Sequence, residues 1–281
     1  MGAPSVVLWV DIFKFNQIFI QIYFSTENSA SNYPLRGTKG TLWEGGVRVP
    51  AFIWSPLLKN SGYLSDDYIQ VTDWVPTLLE AIDSNYFKKK RNTFDGKSVW
   101  NELNEKKCSV KNEILLNIDP IWNMSSIIVN DWKLIQGSIP RNVSPEPNQW
   151  SKSFETEKSD FNFKISENSR KDSFVYRILS KKGRNMNFDF FNQSFIDCGV
   201  KNIAEKCDFQ GICLYNIRSD PCEYNDLSKV YPNIVRNLWK KILNYNKTSV
   251  LPLNKPIDPK ANPIYHNNIW DVWVHSNQFF N

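Results

Sequence analysis

The chain has 281 residues, of which 41% are hydrophobic and 22% charged, enough apolar material for a sizeable core. Its 11 glycines and 15 prolines exclude collagen-like and low-complexity classes. The formal net charge of +5 fits an ordinary solvated surface, and it would also attract sulfated or carboxylated glycans.

The first apolar run lies between residues 6 and 24. Four polar residues interrupt it: Asp11, Lys14, Asn16 and Gln21. A transmembrane helix needs about 20 nearly uncharged residues, so no membrane span is expected here. A signal peptide also fits poorly, since no basic segment precedes the run and no small-residue cleavage site follows it. Residues 18–24 are β-branched and aromatic and predict a buried strand, and we expect the natural start of the protein to lie upstream.

The next segments predict a strand and a helix. The glycine pair at 45–46 permits a tight backbone path, and residues 47–54 predict a second buried strand. A helix is predicted to start at 72–79, where Thr72 or Asp73 can cap the free amides and a proline is tolerated in the first turn. A basic, polar stretch at 88–91 then leads to a loop at 95–96.

From residue 127 onward, short strands and long polar loops are predicted. Strands are expected at 131–135 and 214–217, and a surface insertion is expected at 141–175. Residues 232–245 predict a helix, because apolar side chains recur there at spacings of three and four.

Glycosylation sequons and clustered cysteines indicate a secretory route, with a lysosomal or extracellular destination. The sequons begin at Asn123, Asn142, Asn192 and Asn246. Cys108 stands apart from a cluster of four cysteines: Cys198, Cys207, Cys213 and Cys222. No CxxC pair occurs and the two histidines lie near the C-terminus, so two local disulfides fit better than a zinc site. A bridge between Cys213 and Cys222 would be local, and the spacing leaves the connectivity open.

One long motif stands out. It reads Asn-Tyr-Pro-Leu-Arg-Gly-Thr-Lys at 32–39, followed by Leu-Trp-Glu-Gly-Gly-Val-Arg at 42–48. This motif closely resembles the arylsulfatase B-like branch of the sulfatases. Further similar segments follow in the same order at 73–77, 95–96, 117–120, 132–134, 214–227 and 258–261. The order makes the resemblance specific, and it covers the C-terminal half of that family.

The resemblance implies a fold and a reaction. The implied fold is α/β: an atypical segment at 1–16, part of an alkaline phosphatase-like sulfatase domain at 17–125, and a small α+β subdomain at 126–281 with an antiparallel sheet and a long helix. The implied activity is sulfuric ester hydrolysis, in which a formylglycine attacks sulfur and a divalent cation, usually calcium, holds the sulfate. A sulfated glycan or an aryl sulfate would be the substrate, and no nucleic acid is expected as a partner.

The resemblance also suggests roles for particular residues. The family's lysine at the position of Lys39 touches the sulfate, so Lys39 is the implied catalytic residue. Glu27 and Asn28 stand where the family has an Asp–Asn pair that binds the cation. The longer Glu27 carboxylate predicts an impaired calcium site, and a plain polar turn is the alternative. Gln70 stands where relatives often have histidine.

The nucleophile motif of the family is absent. None of the five cysteines begins a Cys-x-Pro-Ser-Arg sequence, and the family's paired aspartates and active-site histidines are also missing. We therefore expect a truncated, inactive portion of an arylsulfatase that lacks formylglycine. The alternatives are a true short product that binds glycans without catalysis and a degenerate sulfatase-like protein. A phosphoryl-transfer enzyme on the related fold matches the motif at 39–48 less well.

Overall fold

A computed structural model of the chain describes residues 5–11, 32, 34–60, 62–107, 112–137, 174–181, 196, 198, 207, 211–253 and 258–272. The chain forms two compact units, Met1–Thr248 and Ser249–Asn281. Within the described ranges, no helix is long and apolar enough to cross a membrane. This division into units does not test the predicted boundaries after residues 16 and 125, which stay predictions.

Helices and strands are mixed along the first unit. Its first part contains β1 (Ser5–Asp11), α1 (Glu44–Val47), β2 (Arg48–Trp54), β3 (Tyr63–Gln70), α2 (Trp74–Ile82), α3 (Ser84–Lys90) and α4 (Trp100–Glu105). Its second part contains β4 (Glu113–Asp119), β5 (Met124–Val129), β6 (Trp132–Gln136), α5 (Phe174–Lys181), β7 (Ile212–Asn216) and α6 (Pro232–Asn246). Single 3-10 turns cover Val71–Asp73 and Arg91–Thr93.

The first sheet has three strands in the order β2–β1–β3. Strand β1 runs antiparallel to β2 and parallel to β3. The strand predicted at 47–54 is confirmed as β2, but its predicted burial is wrong, because Phe52 and Trp54 are 74% and 61% exposed. The strand predicted at 18–24 lies outside the described residues. Strand β1 falls within the segment expected to be atypical, and its run of valines explains its extended backbone.

The start of α2 brings together two of the segments that resemble the sulfatase family, at 73–77 and 95–96. Asp73 occupies the predicted capping position, but its carboxylate accepts hydrogen bonds from the amides of Gln70 and Lys97, both at 2.8 Å, and not from α2. A Cβ on Gly96 would overlap the carbonyl oxygen of Thr72. The segments at 73–77 and 95–96 therefore form a close structural junction, and this contact explains the glycine.

The second sheet is an antiparallel meander, β4–β5–β6–β7. The strands predicted at 131–135 and 214–217 are confirmed as β6 and β7, and the helix predicted at 232–245 is confirmed as α6. The insertion predicted at 141–175 falls outside the described residues except for the start of α5.

Each face of this meander has its own apolar core, as strand alternation requires. On one face, Ile127, Leu134 and Leu214 pack with Leu238 and Ile242 of α6. Burial of each large aliphatic side chain contributes roughly 1.5–3 kcal/mol. The opposite face packs against residues that flank and form α1: Leu42, Trp43 and Val47. The second sheet thus supports the segment that contains Lys39.

In the second unit, two 3-10 turns at Pro259–Ala261 and Pro263–Tyr265 follow each other. Asp258 and Asn262 cap them by accepting from the amides of Lys260 and Ile264, at 2.9 and 3.1 Å. His266 Nε2 lies 2.7 Å from the carbonyl oxygen of Lys260, so this imidazole takes part in local turn structure.

Candidate functional site

Lys39 lies at the tip of a tight turn at residues 38–41. The amide of Thr41 donates to the carbonyl of Thr38 at 3.0 Å, and Thr41 Oγ1 donates to the same oxygen at 2.7 Å. Gly40 has a φ of +87°, the left-handed value that the third position of a type II turn requires. The Lys39 side chain is exposed, so the turn presents its cation to solvent on a fixed backbone.

The glycine pair of α1 packs directly against this turn. The Gly45 amide donates to the carbonyl of Arg36 at 2.7 Å, and a Cβ on Gly45 would lie 2.6 Å from that oxygen. A Cβ on Gly46 would overlap the carbonyl oxygens of Thr38 and Thr41. No side chain fits at either position, which explains why the motif contains two glycines there.

Arg36 anchors the beginning of the turn to the second sheet. Its side chain is buried, and its guanidinium carbon lies 3.7 Å from the centroid of the Trp43 ring. One guanidinium nitrogen lies 3.1 Å from both the Tyr215 hydroxyl and the Glu223 carbonyl oxygen. The aromatic face and these hydrogen bonds replace the water that a buried guanidinium loses.

A buried lysine anchors α1 in the same way. The side chain of Lys133 on β6 is fully buried, and its ammonium lies 2.7 Å from Glu44 Oε1 and 2.9 Å from Glu223 Oε1. The other Glu223 oxygen accepts the amide of Glu44 at 2.8 Å. Arg48 lies 3.8 Å from Glu44 Oε2 and adds a second cation. We call Lys133, Glu44 and Glu223 the ion triad.

Burial and charge shift the pKa values of the groups around the ion triad. Burial raises the pKa of Glu223 to about 7, because Lys133 only partly offsets the loss of solvent and Glu44 adds repulsion. Burial opposes the charge of Lys133, but the two carboxylates outweigh it and raise the pKa of this lysine. Burial also raises the pKa of Tyr215, so its hydroxyl stays protonated.

Gln70, which the resemblance places at a position where histidine is expected, connects the two sheets. Its side-chain amide donates to the carbonyl of Leu115 on β4 at 2.7 Å. The predicted cation ligands Glu27 and Asn28 lie outside the described residues. Within the described ranges, no group of three His, Cys, Asp or Glu side chains could hold a metal ion.

The four clustered cysteines form two disulfides, as predicted. They join Cys198 to Cys222 and Cys207 to Cys213, with Cα–Cα distances of 5.7 and 6.0 Å. The local bridge between Cys213 and Cys222 is not formed. Cys213 lies in β7 and Cys222 lies in the loop after β7. Each of them is instead bridged to a cysteine that precedes β7 in the chain. Cys222 precedes Glu223, so the first disulfide restrains the backbone next to the ion triad.

Two of the four sequons lie in described segments. Asn123 is exposed in the turn between β4 and β5, with a φ of +51°, and Asn246 is the exposed last residue of α6. Asn142 and Asn192 lie outside the described residues, as does Cys108. The acceptor asparagines of both described sequons are therefore exposed, although Ser125 of the first sequon is buried in β5.

The arrangement has the chemistry to bind an anion. Lys39 offers an exposed ammonium on a restrained turn, which suits a sulfate or another compact anion. The residues that hold the turn were not assigned roles from the sequence, although Arg36, Glu44 and Lys133 lie within the quoted motifs. A lysine flanked by large apolar residues, as in Trp132-Lys133-Leu134, was the available signal of burial.

Comparisons with known proteins agree with the motif. The sulfatase family model matches residues 20–84, a range that includes the Lys39 turn. Arylsulfatase J of Mus musculus is 30% identical over 284 aligned residues, which cover 90% of this chain and 39% of that protein. The chain thus spans about two-fifths of the length of this relative.

A second relative matches a shorter part of the chain, and a solved structure matches it at lower sequence identity. An uncharacterized sulfatase of Schizosaccharomyces pombe is 43% identical over 54 residues, 19% of this chain and 10% of that protein. A solved structure described under the metabolism of multiple glycosaminoglycans by Bacteroides thetaiotaomicron is 18% identical with a TM-score of 0.44, over 76% of this chain and 32% of its own.

Proposed function

This chain belongs to the sulfatase family, and on that premise we propose that its Lys39 turn binds the sulfate group of a sulfuric ester. The observation that carries the proposal is the exposed ammonium of Lys39 on a turn held by Gly45, Arg36 and the ion triad. The restrained backbone fixes where the cation is presented, so the ordering cost of binding falls mainly on the Lys39 side chain.

The proposed substrate is a sulfated glycan, with N-acetylgalactosamine 4-sulfate as the first compound to test. An aryl sulfate carries the same charged group and serves as its simple analogue. The 30% identity to an arylsulfatase supports a sulfate ester as the substrate, without extending that relative's own substrates to the present chain.

We propose that the chain enters the secretory pathway as a glycoprotein and acts in a lysosome or outside the cell. Two disulfides and the exposed sequons at Asn123 and Asn246 support this assignment. Glycosidase treatment of the secreted protein should reduce its mass, and the double change Asn123→Gln and Asn246→Gln should remove part of that reduction.

We further propose that this chain is a truncated portion that does not hydrolyse sulfate esters alone. In the family, formylglycine supplies the nucleophile and a divalent cation polarises the sulfate. The chain has no Cys-x-Pro-Ser-Arg motif, and the proposed calcium ligands Glu27 and Asn28 need a separate binding test. In this proposal, the Lys39 ammonium orients the sulfate group and offsets part of its negative charge.

The alternative is a non-catalytic glycan-binding or degenerate sulfatase-like protein. Hydrolysis of 4-methylumbelliferyl sulfate measures whether this chain has sulfatase activity. We expect no turnover above the buffer rate. Turnover that disappears in Lys39→Ala would show that the chain is a complete catalyst and would overturn the proposed inactivity.

Sulfate binding is tested by isothermal titration calorimetry with N-acetylgalactosamine 4-sulfate. One exposed charge-assisted contact contributes roughly 1 kcal/mol, so Lys39→Ala should weaken binding about fivefold. Lys97→Ala, which removes another exposed lysine, is the matched control and should leave the affinity unchanged. Equal affinities for the wild type and Lys39→Ala would refute the assignment of Lys39.

A further inference from the structure

The C-terminal end of α3 and the 3-10 turn after it carry four consecutive cations: Lys88, Lys89, Lys90 and Arg91. We call these four residues the basic cluster. All four are exposed, and within the described residues no carboxylate forms an ion pair with any of them. The sequence predicted a basic stretch here, and the sulfate-binding turn makes no use of it.

Local structure fixes where these charges lie. The Asp83 carboxylate caps α3 by accepting from the amides of Asn85 and Tyr86, at 3.0 and 2.9 Å. Tyr86 is half-exposed. Residues three and four positions apart share a helix face, so Lys89 and Lys90 lie on the same face as the Tyr86 ring. An aromatic surface flanked by two cations suits a ligand with both apolar and anionic groups.

Helix stability alone does not account for four adjacent cations. Basic residues in the last turn of a helix are stabilised only modestly by the helix dipole. Four neighbouring like charges also repel one another, and an acidic side chain within reach would normally relieve that repulsion. A polyanionic ligand would relieve it equally well.

The disulfides indicate the compartment in which the protein acts, and the compartment limits which polyanions it can meet. Cys198–Cys222 and Cys207–Cys213 indicate an oxidising compartment outside the cytosol. A membrane separates that compartment from nucleic acids and from the anionic lipids of the cytoplasmic leaflet, so neither is the expected ligand. Polysaccharides remain as the abundant polyanions, and sulfated chains carry the higher charge density.

We propose that the basic cluster, together with Tyr86, is a binding site for a sulfated polysaccharide chain, separate from the Lys39 turn. The site uses electrostatic contacts between the four cations and successive sulfate groups, and the Tyr86 ring packs on a sugar face. Binding at this site does not depend on catalysis or on the function proposed for Lys39.

The test compares two fourfold variants with the same loss of charge on immobilised heparin. The first changes the basic cluster: Lys88→Gln, Lys89→Gln, Lys90→Gln and Arg91→Gln. The matched control changes four exposed cations on and around α6: Lys229→Gln, Arg236→Gln, Lys240→Gln and Lys247→Gln. We expect the first variant to lose heparin affinity by about tenfold or more, since each exposed contact contributes a few tenths of a kcal/mol or more, and the control to lose less than about twofold.

Further arms test the separateness and the chemistry of the site. Tyr86→Ala should lower heparin affinity a few-fold, and the fourfold basic-cluster variant should keep the wild-type affinity for N-acetylgalactosamine 4-sulfate. Hyaluronan, which carries carboxylates but no sulfates, should bind at least about tenfold more weakly than heparin. Equal losses in the two fourfold variants would show that only overall charge matters and would overturn the proposal. Hyaluronan binding as tight as heparin, or tighter binding to phosphatidylserine vesicles, would also overturn it.

Discussion

Replacing the buried Lys133 with methionine tests how the Lys39 turn is held. The change keeps a side chain of similar length and leaves Glu44 and Glu223 buried without their shared cation. At an effective dielectric constant near 20, each contact at 2.7 and 2.9 Å corresponds to about 6 kcal/mol of attraction. Removal of the cation also removes its large desolvation cost, so we expect a net loss of about 3–5 kcal/mol, the usual cost of breaking a buried ion pair.

The assay is urea unfolding at pH 7.5, followed by tryptophan fluorescence and circular dichroism. At pH 5, the loss should be smaller, because protonation of a carboxyl removes part of the uncompensated charge. The triple variant Lys133→Met, Glu44→Gln and Glu223→Gln is the control and should recover part of the stability by removing both carboxylates. A loss below about 1 kcal/mol for Lys133→Met at pH 7.5 would refute the reasoning.

Three further predictions concern the same region. Because the pKa of Glu223 is raised from 4.5 to about 7, the folded state binds the extra proton, so the contribution of Glu223 to unfolding free energy should grow as pH falls from 8 to 5. Glu223→Gln should flatten that pH profile, and an unchanged profile would contradict the assignment of the shift. Gly45→Ala should lower the unfolding free energy by about 1–3 kcal/mol, because the new Cβ would crowd the Arg36 carbonyl; a melting temperature equal to that of the wild type would contradict it. Cys198→Ser should remove roughly 3 kcal/mol by opening a loop of 24 residues, measured by urea unfolding, and no loss would show that the disulfide does not restrain this segment.

Local sequence patterns predicted the elements whose apolar spacing is regular. Short apolar segments around Trp132 and Leu214 predicted β6 and β7, and the three-and-four spacing predicted α6. Helix α3 was not predicted, because it is short and polar and depends on the Asp83 cap and the neighbouring α2. Strand β1 lay in a segment that looked foreign to the family motif.

The residues around the candidate site were only partly predictable. The motif located Lys39, and the glycine pair at 45–46 indicated the tight backbone path. The ion triad does not, because Lys133 and Glu44 are 89 positions apart and only the folded chain brings them together. The sequence predicted two disulfides without predicting which cysteines pair, because the four cysteines lie in one short stretch where their spacing permits more than one pairing.

The central claim is that the Lys39 turn binds a sulfate ester, and a backbone NMR titration tests it most directly. Addition of N-acetylgalactosamine 4-sulfate should produce saturable amide shifts at Thr38, Gly40 and Thr41, and unsulfated N-acetylgalactosamine should produce none of comparable size. These shifts should disappear in Lys39→Ala. Shifts of the same size with both sugars, or shifts confined to other segments, would contradict the claim.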